Sequence, residues 1–391
     1  MPEEATPAHQ IVEAEIRAKG PITFARFMEI ALYGEHGYYT ASVSAGADYA
    51  TSPQTHPAFG ALIAGYLFKA WQALGKPETF DVAELGASDG GLARDILDAV
   101  ANGRDRADQI GRFGEALRYH AFDIRPQGDV CSVDEIRRLE SLVGCVISNE
   151  LLDAFPTHMF AIRNGAVWEC YVGIDVDGQM SFVEDTVSNE EIEDRVGEYV
   201  SVLPEGYRGE VNLEIASWAN SVVRLLQSGY VLTIDYGCER DTLYHPARHE
   251  GSLRCYRDHV LGQNPFRYVG LQDITAHADF TAVHEALNRV GIESMSELKS
   301  QRDFLFDLGI DRYLRRVRKA LVSDRYGRHG GDWVHESRAL NALVDIRGLG
   351  DFRVAQHRYR APEIDLSELE TAPIFPQPAL SNRHLRHVPY D

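Results

Sequence analysis

Asp81-Val82-Ala83-Glu84-Leu85-Gly86-Ala87-Ser88-Asp89-Gly90-Gly91-Leu92 decides how the rest of the chain is read. Phe80 to Leu85 alternates bulky apolar residues with others, as a short, largely buried strand does, and Leu92 to Val100 has helical spacing. Strand, glycine turn and helix together open a nucleotide-binding α/β fold. The glycines let a ligand approach the backbone, and the helix start offers unpaired N–H groups. A dinucleotide needs Gly-x-Gly-x-x-Gly for its pyrophosphate. Here Ser88 stands at the second glycine, and Asp89 puts a negative charge where phosphates would lie. Glu84, two residues before Gly86, stands where an acid could meet an ammonium group. S-adenosylmethionine (SAM) carries an ammonium and a sulfonium and no phosphate, so the charges favour it over NAD. A plain strand-to-helix turn without a ligand is the competing interpretation.

Working outward, Leu117 to Phe122 reads as the second strand and ends at Asp123-Ile124. An acid there can accept both ribose hydroxyls, although 37 residues separate it from Gly86 instead of the usual ~20. Ala101 to Gly114 is expected to take up the excess as a surface loop. Ser132 to Glu135 resembles a capping box and predicts a helix to Leu142. Val143 to Ser148 is a buried strand running straight into Asn149-Glu150-Leu151-Leu152-Asp153-Ala154-Phe155-Pro156. Polar residues at the C-terminal end of a central parallel strand stand where open α/β sheets bind ligands. Asn149, Glu150 and Asp153 are therefore candidate site residues; as a bland alternative they form a turn and a solvated helix start.

Elsewhere, His9–Lys19 and Phe24–Tyr33, the latter capped by Thr23, read as helices. A loop of small residues is expected over 41–47, a polar turn over 48–54, and a long packed helix from Pro57 to Leu74. Met159 to Val187 alternates like an antiparallel insertion, and Leu213–Leu226 is helical. Gly229 to Asp235 is another apolar strand. A helix running to Val290, a helical stretch over Ser300–Val322 and a last edge strand over Phe352–Arg358 follow.

The chain has 391 residues, long for one domain, and a net charge of −20 from 59 acidic and 39 basic residues. That acidity argues against nucleic acid as a partner, since phosphate contacts need a basic face. Five cysteines lie scattered without metal spacing, so reduced, buried thiols and no metal are expected. His277 and His284 have no third ligand. No apolar run reaches the ~20 residues of a bilayer span, and Met1 to Ala5 is neither signal-like nor arginine-rich. A soluble cytoplasmic protein without a membrane partner is the expectation.

The chain resembles the MidA family, also called the NDUFAF7 or DUF185 family, of class I SAM-dependent methyltransferases. The resemblance lies in Gly20-Pro21-Ile22-Thr23-Phe24, Gly37-Tyr38-Tyr39, Tyr49-Ala50-Thr51-Ser52-Pro53 and Glu84-Leu85-Gly86. It continues through Asn149 to Pro156, Ile234-Asp235-Tyr236-Gly237, Asp273 to Phe280 and Phe304 to Ile310, in family order. The family turn usually reads Gly-Pro-Gly-Arg-Gly-Thr-Leu, and this one departs from it. The resemblance implies an α/β, Rossmann-like, seven-stranded core with an N-terminal helical segment and inserted helical and hairpin regions. On that basis residues 1–75 would be a helical segment contributing to the cofactor site. Residues 76–391 would be the core, with insertions at about 157–205 and 240–350.

It also implies SAM as methyl donor, held by Thr51, Ser52, Pro53, Glu84, Gly86, Ala87, Ser88, Gly90, Asp123, Ile124 and Asn149. Protein arginine methylation linked to respiratory-complex assembly is the activity so implied, with a protein as substrate. Glu150 and Asp153 are then the candidate catalytic acids, because a paired carboxylate orients a guanidinium and concentrates electron density on one nitrogen. A small-molecule methyltransferase, a non-catalytic SAM-binding assembly factor and, least favoured, an NAD oxidoreductase are the rivals. The sequence does not define the oligomeric state.

Overall fold

In the computed structural model, the segment Phe80–Leu85 is strand β1 of a mostly parallel sheet. The structure describes residues 6–41, 51–103, 108–139, 141–258, 260–323, 330–367, 375–376 and 380–385. The expected small-residue loop at 42–47 and the motif residues Tyr49 and Ala50 lie outside them. The chain forms two compact units that alternate along its length. A sheet unit comprises 50–150, 220–236 and 287–391; a meander unit comprises 1–49, 151–219 and 237–286. This division differs from a break near residue 75, because the helix Ala58–Ala73 belongs with the sheet.

In the sheet unit, β1 lies between β2 (Leu117–Asp123) and β4 (Leu142–Asn149), parallel to both. The two-residue β3 (Cys131–Ser132) extends the β2 side, and β5 (Leu226–Asp235) runs parallel beside β4. Strand order thus reverses at β1 and β4, the kind of switch point beyond whose C-terminal ends α/β sheets bind ligands. The short β6 (Glu293–Ser294) and β7 (Lys299–Ser300) both pair with β8 (Arg353–Tyr359). β8 was expected as an edge strand, yet it also pairs antiparallel with β5, so it is flanked on both sides. Among the described residues the sheet therefore has eight strands where seven were expected, two short ones sharing the outer side of β8.

Helices α1 (Ser52–Thr55), α2 (Ala58–Ala73), α3 (Gly91–Gly103) and α4 (Asp108–Ala116) follow the same logic of apolar spacing. Fourteen of the residues of α2 are buried, and its Gly60 is needed because a Cβ there would lie 2.4 Å from Asp95 Cβ on α3. The expected surface loop Ala101–Gly114 is corrected: α3 runs to Gly103, and α4 buries Ile110 and Phe113 in the core. Two glycines in so short a helix hid its periodicity. The expected helix from Ser132 to Leu142 is a 3-10 turn, Val133–Arg138, because β4 already begins at Leu142. Ser300–Val322 splits into α5 (Gln301–Asp307) and α6 (Ile310–Ser323) at Gly309, whose φ is 88°. Helices α7 (Gly330–Ala342) and α8 (Asn382–Leu385) complete this unit.

The meander unit holds the helix Pro7–Lys19, capped by Thr6, and the Thr23-capped turn Phe24–Met28 that continues to Tyr33 as a π-helix. Its main sheet is antiparallel: His158–Arg163, Ala166–Ile174 and Met180–Asp185, joined by Ile22–Thr23 and Arg208–Val211. Phe24, Phe27, Met28, Tyr38, Met159, Val172 and Ile274 fill one apolar cluster. All five cysteines are free thiols, and only Cys131 is exposed.

Candidate functional site

The turn after β1 is fastened from below. The N–H groups of Gly86 and Ala87 both donate to Phe122 O on β2, at 2.9 Å each. Gly86 and Gly90 have φ of 77° and 73°, values that suit glycine. Ser88, standing where a dinucleotide turn has glycine, is also left-handed at 51°. Its N–H donates to Asp123 Oδ2 (2.9 Å), which helps hold a residue with a Cβ in that conformation. Asp89 Oδ1 accepts from Gly91 N–H (2.9 Å), so the start of α3 is capped by its own turn and a phosphate would meet a carboxylate there.

Two acids sit at this end of the sheet with opposite provisions. Asp123 has both oxygens engaged by backbone, Oδ2 by Ser88 and Oδ1 by Arg125 N–H (2.9 Å). Burial pushes its carboxyl above the usual range against those bonds. Ile124 beside it is exposed. Glu84 is 3% exposed and receives one bond, from Tyr119 O–H to Oε2 (2.9 Å). Burial pushes the Glu84 carboxyl up to about 8, with Tyr119 opposing and Asp89 and Asp123 adding to the rise.

At the end of β4, Glu150 adopts φ 53°, a left-handed conformation costing about 1–3 kcal/mol for a non-glycine residue. It is held there by its own N–H donating to Ile234 O on β5 (2.8 Å). Its Oε1 accepts from Asn149 Nδ2 (3.0 Å) and from Ser52 N–H (3.3 Å), while Oε2 has no partner among the described residues. Burial pushes this carboxyl up to about 8 as well. Asn149 Oδ1 is buried without a hydrogen-bond partner among the described residues. Such an acceptor is costly to leave unmade and marks a place for a donor.

The sheet unit thus brings together Ser52, Glu84, Gly86, Ala87, Ser88, Gly90, Asp123, Asn149 and Glu150. Thr51 and Pro53 start α1, where Thr51 forms a capping box with Gln54. Asp153 belongs to the meander unit, where its carbonyl accepts from Ala276 N–H (2.9 Å). The Thr275–Phe280 motif is built into that same unit. Asp279 caps the following helix through Ala282 N–H and accepts from Arg240 Nε, and His277 Nδ1 faces Arg248 at 3.1 Å. Sequence reading missed Tyr119 and Gln301, whose Oε1 accepts from Ser52 Oγ at 3.0 Å. No local pattern marks either of them.

Comparison with known proteins places the chain among relatives. A 26%-identical relative is the protein arginine methyltransferase NDUFAF7 homolog, mitochondrial, of Caenorhabditis elegans, matched over 81% of this chain and 79% of that one. The human protein arginine methyltransferase NDUFAF7, mitochondrial, is 25% identical, over 78% of this chain and 74% of its own. A COG1565 superfamily member from Burkholderia thailandensis, crystallised bound to S-adenosyl-homocysteine, superposes with a TM-score of 0.74 at 27% identity. That match covers 92% of this chain and 93% of the other. The relatives are mitochondrial by name, which overturns the cytoplasmic placement expected from the N-terminal sequence. Among the described residues no helix is long and apolar enough to cross a membrane. Residues 62–297 match a family profile described as S-adenosyl-L-methionine-dependent methyltransferase, and the chain belongs to that family.

Proposed function

We propose that the protein methylates a guanidinium nitrogen of an arginine side chain in a protein. The observation that carries this reading is Glu150: a half-buried acid at the switch point, with one carboxyl oxygen fixed and the other without a partner among the described residues. The names of the relatives supply the acceptor class.

Bound SAM supplies an electrophilic methyl group on its sulfonium. The residues fit such a donor: a turn with three positive φ values, acids instead of a phosphate cradle, and a buried Asn149 Oδ1 lacking a donor. Glu84 meets the donor's positive charge, and Tyr119 keeps its carboxylate aimed. Asp123 takes the ribose hydroxyls while its backbone bonds keep it rigid. Gly86, Ala87, Ser88 and Gly90 line the approach, Ile124 covers it, and Thr51, Ser52 and Pro53 border it from α1.

The guanidinium is protonated at neutral pH and a poor nucleophile; its positive charge favours the Glu150 carboxylate that burial disfavours, and Oε2 then accepts from it. An acid at one edge draws positive charge there and leaves electron density on the nitrogen to be methylated. Because Asn149 and Ser52 hold Oε1, Oε2 does not need to be ordered when substrate arrives, a positional advantage.

Glu150→Gln keeps the shape and removes the charge. Turnover of tritiated SAM onto protein in a lysate lacking the gene should fall at least ~100-fold, with donor affinity nearly unchanged. Asp153→Asn, assayed alongside, reports whether the second acid contributes. Equal labelling by wild type and Glu150→Gln removes Glu150 from the mechanism. Label on a small metabolite indicates a small-molecule acceptor, and tight SAM binding without any label indicates a non-catalytic assembly factor.

A further inference from the structure

The C-terminal residues Ser381 to His384 return to the start of α3, one turn beyond the glycine turn. Arg383 NH2 donates to Asp95 Oδ1 at 2.6 Å. His384 Nε2 lies 3.2 Å from Asp95 Oδ2, and its Nδ1 lies 2.9 Å from Ser381 Oγ. Both Asp95 (6% exposed) and His384 (2%) are buried. Asp95 cannot move toward α2, since its Cβ fills the space that Gly60 leaves. Gly91, the first residue of α3, is likewise filled: a Cβ there would fall 2.1 Å from Arg383 NH1. That NH1 is buried and has no partner among the described residues. A cation at a helix N-terminus opposes the helix dipole. Stability alone does not explain why an arginine with an unused, desolvated donor sits against this turn. Helix α8 also packs on α1, whose Ser52 N–H donates to Glu150.

We infer that Arg383 and His384 are positioning residues for the SAM turn. Through Asp95 they hold the first turn of α3 at a fixed height, and through α1 they tie it to the segment bearing Ser52. Neither side chain touches the donor; each acts by keeping Gly86–Gly91 in the conformation that receives it. Gly91 is glycine because the Arg383 guanidinium occupies the space of its side chain.

The inference rests on SAM as donor. Calorimetry with S-adenosylhomocysteine and no acceptor tests it separately from the arginine reading. Arg383→Ala should weaken that binding at least tenfold, with Arg383→Lys recovering part of the loss. Gly91→Ala should weaken it similarly by displacing the guanidinium, and the double variant should be no worse than Arg383→Ala alone. In turnover the KM for SAM should rise, with kcat at saturating SAM and the acceptor KM within about twofold. A purely structural role would lower melting temperature and active fraction and leave the SAM KM unmoved. Wild-type affinity in Arg383→Ala, or fully additive losses in the double variant, overturns the inference. Should Arg383→Ala fail to fold, Gly91→Ala and Arg383→Lys decide: wild-type affinity in both overturns it, and weakened affinity with unchanged kcat supports it.

Discussion

Three acids of the meander unit and two at the C-terminal edge of the parallel sheet are provided for differently. In the meander unit Glu210 is 4% exposed, and its oxygens accept from Ser252 N–H, Ser252 Oγ and Leu253 N–H. Glu169 is fully buried, with Oε1 2.7 Å from His158 Nδ1 and Oε2 accepting from Ser188 N–H (2.6 Å). Asp279 divides its oxygens between Ala282 N–H and Arg240. Every oxygen in these three is used. In the sheet unit Glu84 and Glu150 each use one oxygen and leave the other free of described partners. Glu210, Glu169 and Asp279 spend their oxygens on the fold, whereas Glu84 and Glu150 each keep one for a ligand; Asp123 serves both ends, since each of its engaged oxygens retains a second lone pair. Burial raises the carboxyls of Glu210, Glu84 and Glu150; for Glu169 the bonds from His158 and Ser188 outweigh it, and its carboxyl lies below the usual range.

The contrast is broken most directly at Glu210. Glu210→Ala strands three donors at about 1–3 kcal/mol each, so unfolding in urea should show a loss of roughly 3–9 kcal/mol. Glu84→Gln should change the stability of the ligand-free protein by less than about 1 kcal/mol. Comparable losses at both positions would remove the distinction.

On the ligand side, Gly86→Val places a β-branched side chain where φ is 77° and fills the turn. SAM affinity measured by calorimetry should fall at least ~100-fold, a loss of about 2.7 kcal/mol or more. Asp123→Ala should cost about 1–3 kcal/mol of SAM binding. Unchanged affinity would place the ribose acid elsewhere.

The smallest effect sharpens the assignment of Glu84. Its folded value, about 8 against 4.5 unperturbed, means the folded protein binds the extra proton. The stability this group contributes is therefore present below about pH 4.5 and is lost as the pH climbs to 8. A cationic donor needs the carboxylate, so SAM affinity should rise with pH up to about 8, by at most about tenfold per unit. Calorimetric titrations between pH 6 and 8 should show this slope in wild type and none in Glu84→Gln.

What could be read in the sequence was what neighbours along the chain determine. The apolar alternation of Phe80–Leu85 and the polar break after Ser148 located β1, β4 and the site beside them. Glu84 and Asp123 could be named as candidates because strand ends and acids are local signals. Tyr119 is 35 residues from Glu84, Gln301 is 249 from Ser52 and Arg383 is 288 from Asp95. Such partners are chosen by tertiary packing, and no spacing rule points to them. The α4 helix was missed for a different reason: nine residues with two glycines carry too little pattern.

The place of β8 has a consequence for synthesis. The glycine turn is made long before β8, and β5 cannot be covered on its outer side until residue 353 has appeared. Until then β5 presents an unpaired edge, the kind of surface on which nascent chains associate wrongly. Non-local pairing of this sort is slow. The protein should therefore depend on chaperones early and become resistant to aggregation only late in its own translation.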